Sequence, residues 1–205
     1  MRTQTLKRLF GTAAIVLALG ACKNESLGSD DNGSGDLSFT YTGAATGQFN
    51  ASGEFNRKRT NPEFSAAVVE DGEIVFLAAD KVQSNRTDVF LMSAPASVGT
   101  TTCTSATQFA DCKILGFFAV GFTSPNDPEP DAQYVGFVGS IQVAELTDDR
   151  VRGTFSLLME DENATTTLEA RSGTFDLPII PSSELAGNRS PLPAAVSLNR
   201  VLPRS

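Results

Sequence analysis

Phe64-Ser-Ala-Ala-Val-Val-Glu70, then Asp71-Gly72, then Glu73-Ile-Val-Phe-Leu-Ala-Ala79 is the stretch that decides the fold. Two apolar runs, rich in β-branched and aromatic residues, flank a dipeptide suited to a two-residue hairpin turn. Such a turn needs positive φ, which Asp tolerates and Gly adopts freely. Working toward the N-terminus, Phe49, Ala51, Gly53 and Phe55 alternate with Gln48, Asn50, Ser52 and Glu54, and Phe39 and Tyr41 alternate with polar neighbours. That period of two is the mark of a strand with one buried face.

Toward the C-terminus the pattern continues. Thr87 to Ser93 is β-rich, and Lys113 to Phe122 is a nearly continuous apolar run that predicts a strand buried on both faces. An acidic, Pro-rich loop spans residues 124–132, and Tyr134 to Leu146 returns to strand. Thr147-Asp148-Asp149-Arg150 turns the chain. Val151, Gly153, Phe155, Leu157 and Met159 then share one face, and Thr165 to Leu177 closes the series after a turn at Glu160 to Ala164. These segments predict an all-β fold: a single antiparallel β-sandwich or barrel of about nine to ten strands over residues 37–178, with no amphipathic helix inside it. Pro181, Pro191, Pro193 and Pro203 punctuate the Pro-rich tail 179–205, which is expected to be extended or partly disordered, with Ala194 to Leu202 able to form one or two helical turns.

The first residues have another character. Arg2, Lys7 and Arg8 precede the apolar run Leu9 to Leu19, and Gly20, Ala21 and Cys22 follow. The run is too short for a bilayer span of about 20 residues but suits a secretory signal peptide over residues 1–21. Leu19-Gly20-Ala21-Cys22 resembles the bacterial lipobox. That resemblance implies cleavage before Cys22, a thioether to diacylglycerol on its thiol, and acyl chains of the palmitate kind. Two or three chains hold a membrane far better than one, at about 0.8 kcal/mol per buried methylene. Residues 22–36 are polar and Gly/Ser/Asp-rich, so they read as a lipidated flexible tether. Asp30, Asn32, Ser34 and Gly35 have the spacing of half an EF-hand loop, but Tyr41 stands where the bidentate Glu belongs, so a solvated linker is expected. Lys23, where inner-membrane retention commonly uses Asp, favours the outer membrane of the cell envelope.

Composition narrows the chemistry. The 205-residue chain has a net charge of −8, and the signal segment carries Arg2, Lys7 and Arg8 with no acid, so the exported remainder is more acidic still. Such a chain repels phosphate backbones, and no nucleic acid partner is expected. With Cys22 assigned to lipid, Cys103 and Cys112 remain as an even pair. In an exported protein they predict a disulfide closing a small loop, at roughly 2–3 kcal/mol by loop entropy. There is no histidine and no tryptophan, and Tyr41 and Tyr134 are the two tyrosines. Ser-His-Asp and Cys-His catalysis are therefore excluded, as are His-dependent metal sites and most sugar-stacking platforms.

Gly139-Ser140-Ile141, Leu146-Thr147-Asp148, Gly153-Thr154-Phe155-Ser156-Leu157 and Ser172-Gly173-Thr174-Phe175-Asp176-Leu177 set a cadence over residues 136–177. With the lipobox, it is similar to a broad group of uncharacterised bacterial lipoproteins that end a compact β domain in repeated Gly-x-Phe strands. The resemblance implies no assigned activity and maps no catalytic residue. Physically, the repeated Gly-Thr-Phe is expected to be a packing device, with each Gly at a bulge or close approach and each Phe in the core.

The chain contains no Gly-x-Ser-x-Gly, no Ser-x-x-Lys and no phosphate loop. Asp127, Glu129 and Asp131 form one acidic cluster and Glu160, Asp161 and Glu162 another; both are expected to be solvated loop charges. No catalytic set, metal-ligand set or cofactor is expected. The leading functional expectation is a lipid-anchored envelope protein, a non-catalytic binding or structural module whose one inferred partner is the membrane. An alternative is a carrier of an apolar ligand, motivated by Gly116-Phe117-Phe118-Ala119-Val120-Gly121-Phe122. The remaining alternative is a carboxylate-dependent hydrolase, which needs two facing carboxylates in a cleft about 5–10 Å apart.

Overall fold

The computed structural model describes residues 33–55, 63–83, 85–107, 111–123 and 130–184. Cys22, the signal segment, Asp127, Glu129 and most of the Pro-rich tail lie outside these residues. The described chain is all-β. In order it forms β1 (Gly35–Gly43), β2 (Gly47–Gly53), β3 (Phe64–Glu70), β4 (Glu73–Gln83), β5 (Arg86–Pro95), β6 (Gly99–Cys103), β7 (Leu115–Phe122), β8 (Ala132–Leu146), β9 (Arg150–Asp161) and β10 (Thr167–Pro178).

The Asp-Gly turn forms as its chemistry requires. Asp71 and Gly72 both take positive φ, 51° and 80°, and β3 and β4 run in unbroken register from Phe64 opposite Ala79 to Glu70 opposite Glu73. The strands make one antiparallel sheet in the order β2-β1-β10-β9-β8-β7-β5-β4-β3, with β6 paired to β8 beside that path. The long β8 serves two neighbours on one edge. Its start pairs with β7 through Tyr134–Phe118 and Gly136–Gly116, and its second half pairs with β6 through Gly139–Cys103 to Val143–Gly99.

The sheet curls until its ends nearly meet, giving a barrel-like form. β2 and β3, the ends of the order, lie against each other. Side chains and single backbone bonds bridge the seam. The Asn50 amide donates to Asp80 Oδ2 at 2.8 Å, and Ser52 Oγ donates to Glu63 Oε1 at 3.2 Å. At the opposite end the chain stays attached past Pro178. Ile179 bridges to Ala67 in parallel sense, and the Ile180 amide donates to the Ala67 carbonyl at 2.8 Å.

Period-two alternation turns Leu37 and Phe39, Phe49 and Ala51, Ile74, Phe76 and Ala78, and Phe90, Met92 and Ala94 into one interior cluster. Phe39 is its hub, with ring centroids 5.0 Å from Phe49, 4.9 Å from Phe90, 5.3 Å from Phe118 and 5.7 Å from Phe155. Each fully buried Phe stabilises the fold by about 1.5–3 kcal/mol relative to exposure. The outward faces of β3, β4, β5 and β7 form a second apolar cluster: Phe64, Ala66 and Val68, Leu77 and Ala79, Val89 and Leu91, and Phe117, Ala119 and Phe122, joined by Phe55 and Ile180. The apolar run of β7 is thus buried on both faces, as its sequence predicts.

Candidate functional site

One end of the barrel interior changes from rings to acids. On β4 the inward series Ile74, Phe76, Ala78 is continued by Asp80, and on β5 the series Met92, Phe90 is continued by Asp88. The two strands pair so that Asp80 stands directly opposite Asp88. Cβ atoms of such a cross-strand pair lie about 4.5–5.5 Å apart, and like charges there repel.

Asp88 is 3% exposed, and its Oδ1 accepts the Gly121 amide at 2.9 Å. Gly121 adopts φ of 84°, and a Cβ there would collide with the Asp131 carboxylate, so this close approach of backbone to acid requires Gly. Arg86 pairs with Asp131 at 3.3 Å on the exposed rim, an ion pair worth at most about 1 kcal/mol. Tyr41 closes the group from β1, its ring 5.3 Å from Phe118 and its hydroxyl packed where a Cβ on Gly47 would stand.

Burial raises all three titrating groups above their ordinary values. Loss of hydration pushes the Asp88 carboxyl up; the Gly121 amide and Arg86 oppose the shift, and Asp80 and Asp131 add to it. Burial likewise raises Asp80 against the Asn50 amide bond. Burial first, and then the Asp88 charge, raise the Tyr41 hydroxyl.

This arrangement closes the seam through Asp80 and fixes the Gly121 backbone through Asp88. Asp88 is sealed from solvent, whereas Asp80 is half-buried at the seam. Among the described residues, no group of three or more His, Cys, Asp or Glu side chains is placed to hold a metal ion.

The residues singled out from sequence fall elsewhere. Cys103 and Cys112 form the expected disulfide, Cα atoms 5.7 Å apart, clamping the connection from β6 to β7. Asp161 works within its turn, accepting from the Thr165 hydroxyl and amide at 2.6 Å each and from the Thr166 amide at 3.2 Å. These bonds, the Thr165 hydroxyl first, hold its carboxyl below the ordinary aspartate range. Asp131 meets Arg86, while its expected companions Asp127 and Glu129 lie outside the described residues. Phe118 points into the interior cluster, whereas Phe117 and Phe122 point outward, so the three do not line one cavity.

The open surface lies on the outer face of β6, β8, β9, β10 and β1. Register aligns Thr100, Gln142, Thr154, Thr174 and Ser38 in one row across these five strands. Ser38 Oγ and Thr174 Oγ1 are 3.0 Å apart, and in the next row Ser140 Oγ and Ser156 Oγ are 3.3 Å apart. A shallow groove of about 460 Å³ runs over the Thr100, Ser140, Thr154, Ser156 and Thr174 hydroxyls, with Gly173 and Phe155 among its lining. Hydroxyls and one carboxamide, without charge, make a surface that both donates and accepts hydrogen bonds.

Compared with known proteins, the chain matches no family model, no curated protein and no solved structure.

Proposed function

We propose that this protein is a lipid-anchored envelope protein, held to the membrane through Cys22, whose β domain is a non-catalytic binding or structural module. The observation that carries the reading of the domain is the Phe39-centred cluster. Phe49, Phe90, Phe118 and Phe155 all pack on that one ring within 5.7 Å. An interior filled in this way supports a working surface on the outside of the barrel, not a ligand chamber within it. The uncharged hydroxyl row from Thr100 to Ser38 is the surface best suited to such work. The basic start, apolar core and small residues before Cys22 support the anchor, with the outer membrane favoured by Lys23.

Growth with radiolabelled palmitate tests the anchor. Label is expected in the envelope fraction and lost in Cys22→Ala; label retained by that variant overturns the assignment. A photoreactive residue at Thr154 in live cells tests the surface. A discrete adduct is expected there and absent when the same residue is placed at Glu70. Identical adduct patterns from both positions count against the hydroxyl row.

A further inference from the structure

The outward faces of β3, β4, β5 and β7 are sealed although they point away from the barrel interior. Leu77, Val89 and Ala119 are fully buried, and Leu91 and Phe122 nearly so. A single sheet cannot hide its own outer face, so these side chains need a further layer over them. Described residues begin that layer at two places. Phe55 enters from the end of β2, its ring 5.2 Å from Phe64, and Ile180 enters from the end of β10.

Ile180 fixes where the chain is heading. Its amide bonds the Ala67 carbonyl on β3, its side chain is 1% exposed within the outer cluster, and the turn Ser182–Glu184 sits against β3. The chain is therefore delivered onto the edge of this apolar face, with residues 185–205 still to come. That segment supplies Leu192, Val196, Leu198, Val201 and Leu202. It also carries Arg189, Arg200 and Arg204 and no acid, in a chain of net charge −8, so its charge complements the body it would lie on. Reach is ample: four strands at about 4.8 Å spacing span roughly 15 Å, and ten extended residues cover about 33 Å.

We infer that the C-terminal segment, residues 185–205, packs across the outer apolar face of β3, β4, β5 and β7 as the layer that Ile180 begins. The segment is then part of the folded domain.

Photocrosslinking in the full mature chain tests this. With benzoylphenylalanine at Val196 or Leu198, an intrachain link to Val75, Leu77, Leu91 or Phe117 is expected by mass spectrometry. Links confined to lipid, to other chains or to residues 22–34 overturn the inference. A second arm uses Val196→Asp with Leu198→Asp and the dye anilinonaphthalene sulfonate. Dye fluorescence is expected to rise severalfold while the near-ultraviolet dichroism of the aromatic core is kept. Unchanged dye fluorescence overturns the inference as well.

Discussion

Gly173 lies directly opposite Phe155 in the pairing of β9 with β10, and a Cβ on Gly173 would stand 2.5 Å from the Phe155 ring. The same ladder places Gly153 opposite Phe175, where a Cβ would stand 2.6 Å from the ring edge. The two Gly-Thr-Phe segments thus pair antiparallel, each glycine making room for the other segment's ring and Thr154 meeting Thr174 between them. Gly173→Ala is expected to destabilise the domain by about 1–3 kcal/mol through overpacking. Phe155→Leu in the same chain is expected to recover part of the loss. Urea denaturation of the single and double variants checks this; a neutral Gly173→Ala would show that the ring moves aside freely.

How far this was legible in the sequence differs from element to element. The repeated Gly-Thr-Phe announced close packing, and alternation announced the strands, because period-two burial leaves a local signature. That the two segments clasp each other depends on register, which the turn at Glu160 to Ala164 and the irregularity between Ala170 and Gly173 set. Asp80 and Asp88 escaped notice for a related reason. Asp80 directly follows the apolar run of β4, and its pairing with Asp88 depends on the register of β4 against β5, which turns irregular between Asp80 and Gln83. One signal was available: an acid in phase with Ile74, Phe76 and Ala78 belongs on the buried face. β1 pairs with β10 across more than half the chain, and no local pattern encodes such a pairing.

Asp88→Asn is expected to stabilise the domain at neutral pH. The amide oxygen still accepts the Gly121 N–H, and the buried charge opposite Asp80 is gone. The gain should be on the order of 1 kcal/mol. The pH dependence has a definite sign. A carboxyl raised by folding binds its proton more tightly in the native state, so its contribution favours folding at acid pH. It is lost as pH rises from the ordinary aspartate range through the raised native value, and it is flat above. Thermal unfolding from pH 3 upward should therefore show, for Asp88→Asn, a smaller loss of stability than in the parent as pH rises through that window. Parallel curves would mean that Asp88 titrates as an exposed acid.

Ser65 is fully buried in β3, and its Oγ has no hydrogen-bond partner among the described residues. It faces Gly35, where a Cβ would stand 2.9 Å from that hydroxyl and 2.7 Å from the Pro178 ring. An unpaired buried hydroxyl costs about 1–3 kcal/mol of desolvation. Ser65→Ala removes that cost and leaves a void of a single oxygen. A rise in stability of roughly 1 kcal/mol is expected by urea denaturation. Loss of stability in Ser65→Ala would show that the hydroxyl is satisfied in solution.

The disulfide carries the last expectation. Cys103 ends β6, which pairs with the second half of β8, and Cys112 precedes β7, which pairs with its first half. The bond therefore pins two neighbours of the same strand at the point where one gives way to the other. Reduction, or the double variant Cys103→Ser with Cys112→Ser, should cost about 2–3 kcal/mol from restored loop freedom. The loss should fall first on β6, because it pairs with β8 alone and contributes one buried apolar side chain, Cys103 itself. Native-state hydrogen exchange should show Thr100 to Thr102 losing protection before the amides of β7, which is held on both edges by β5 and β8. Simultaneous loss across β6 and β7 would instead make the disulfide a support of the whole barrel.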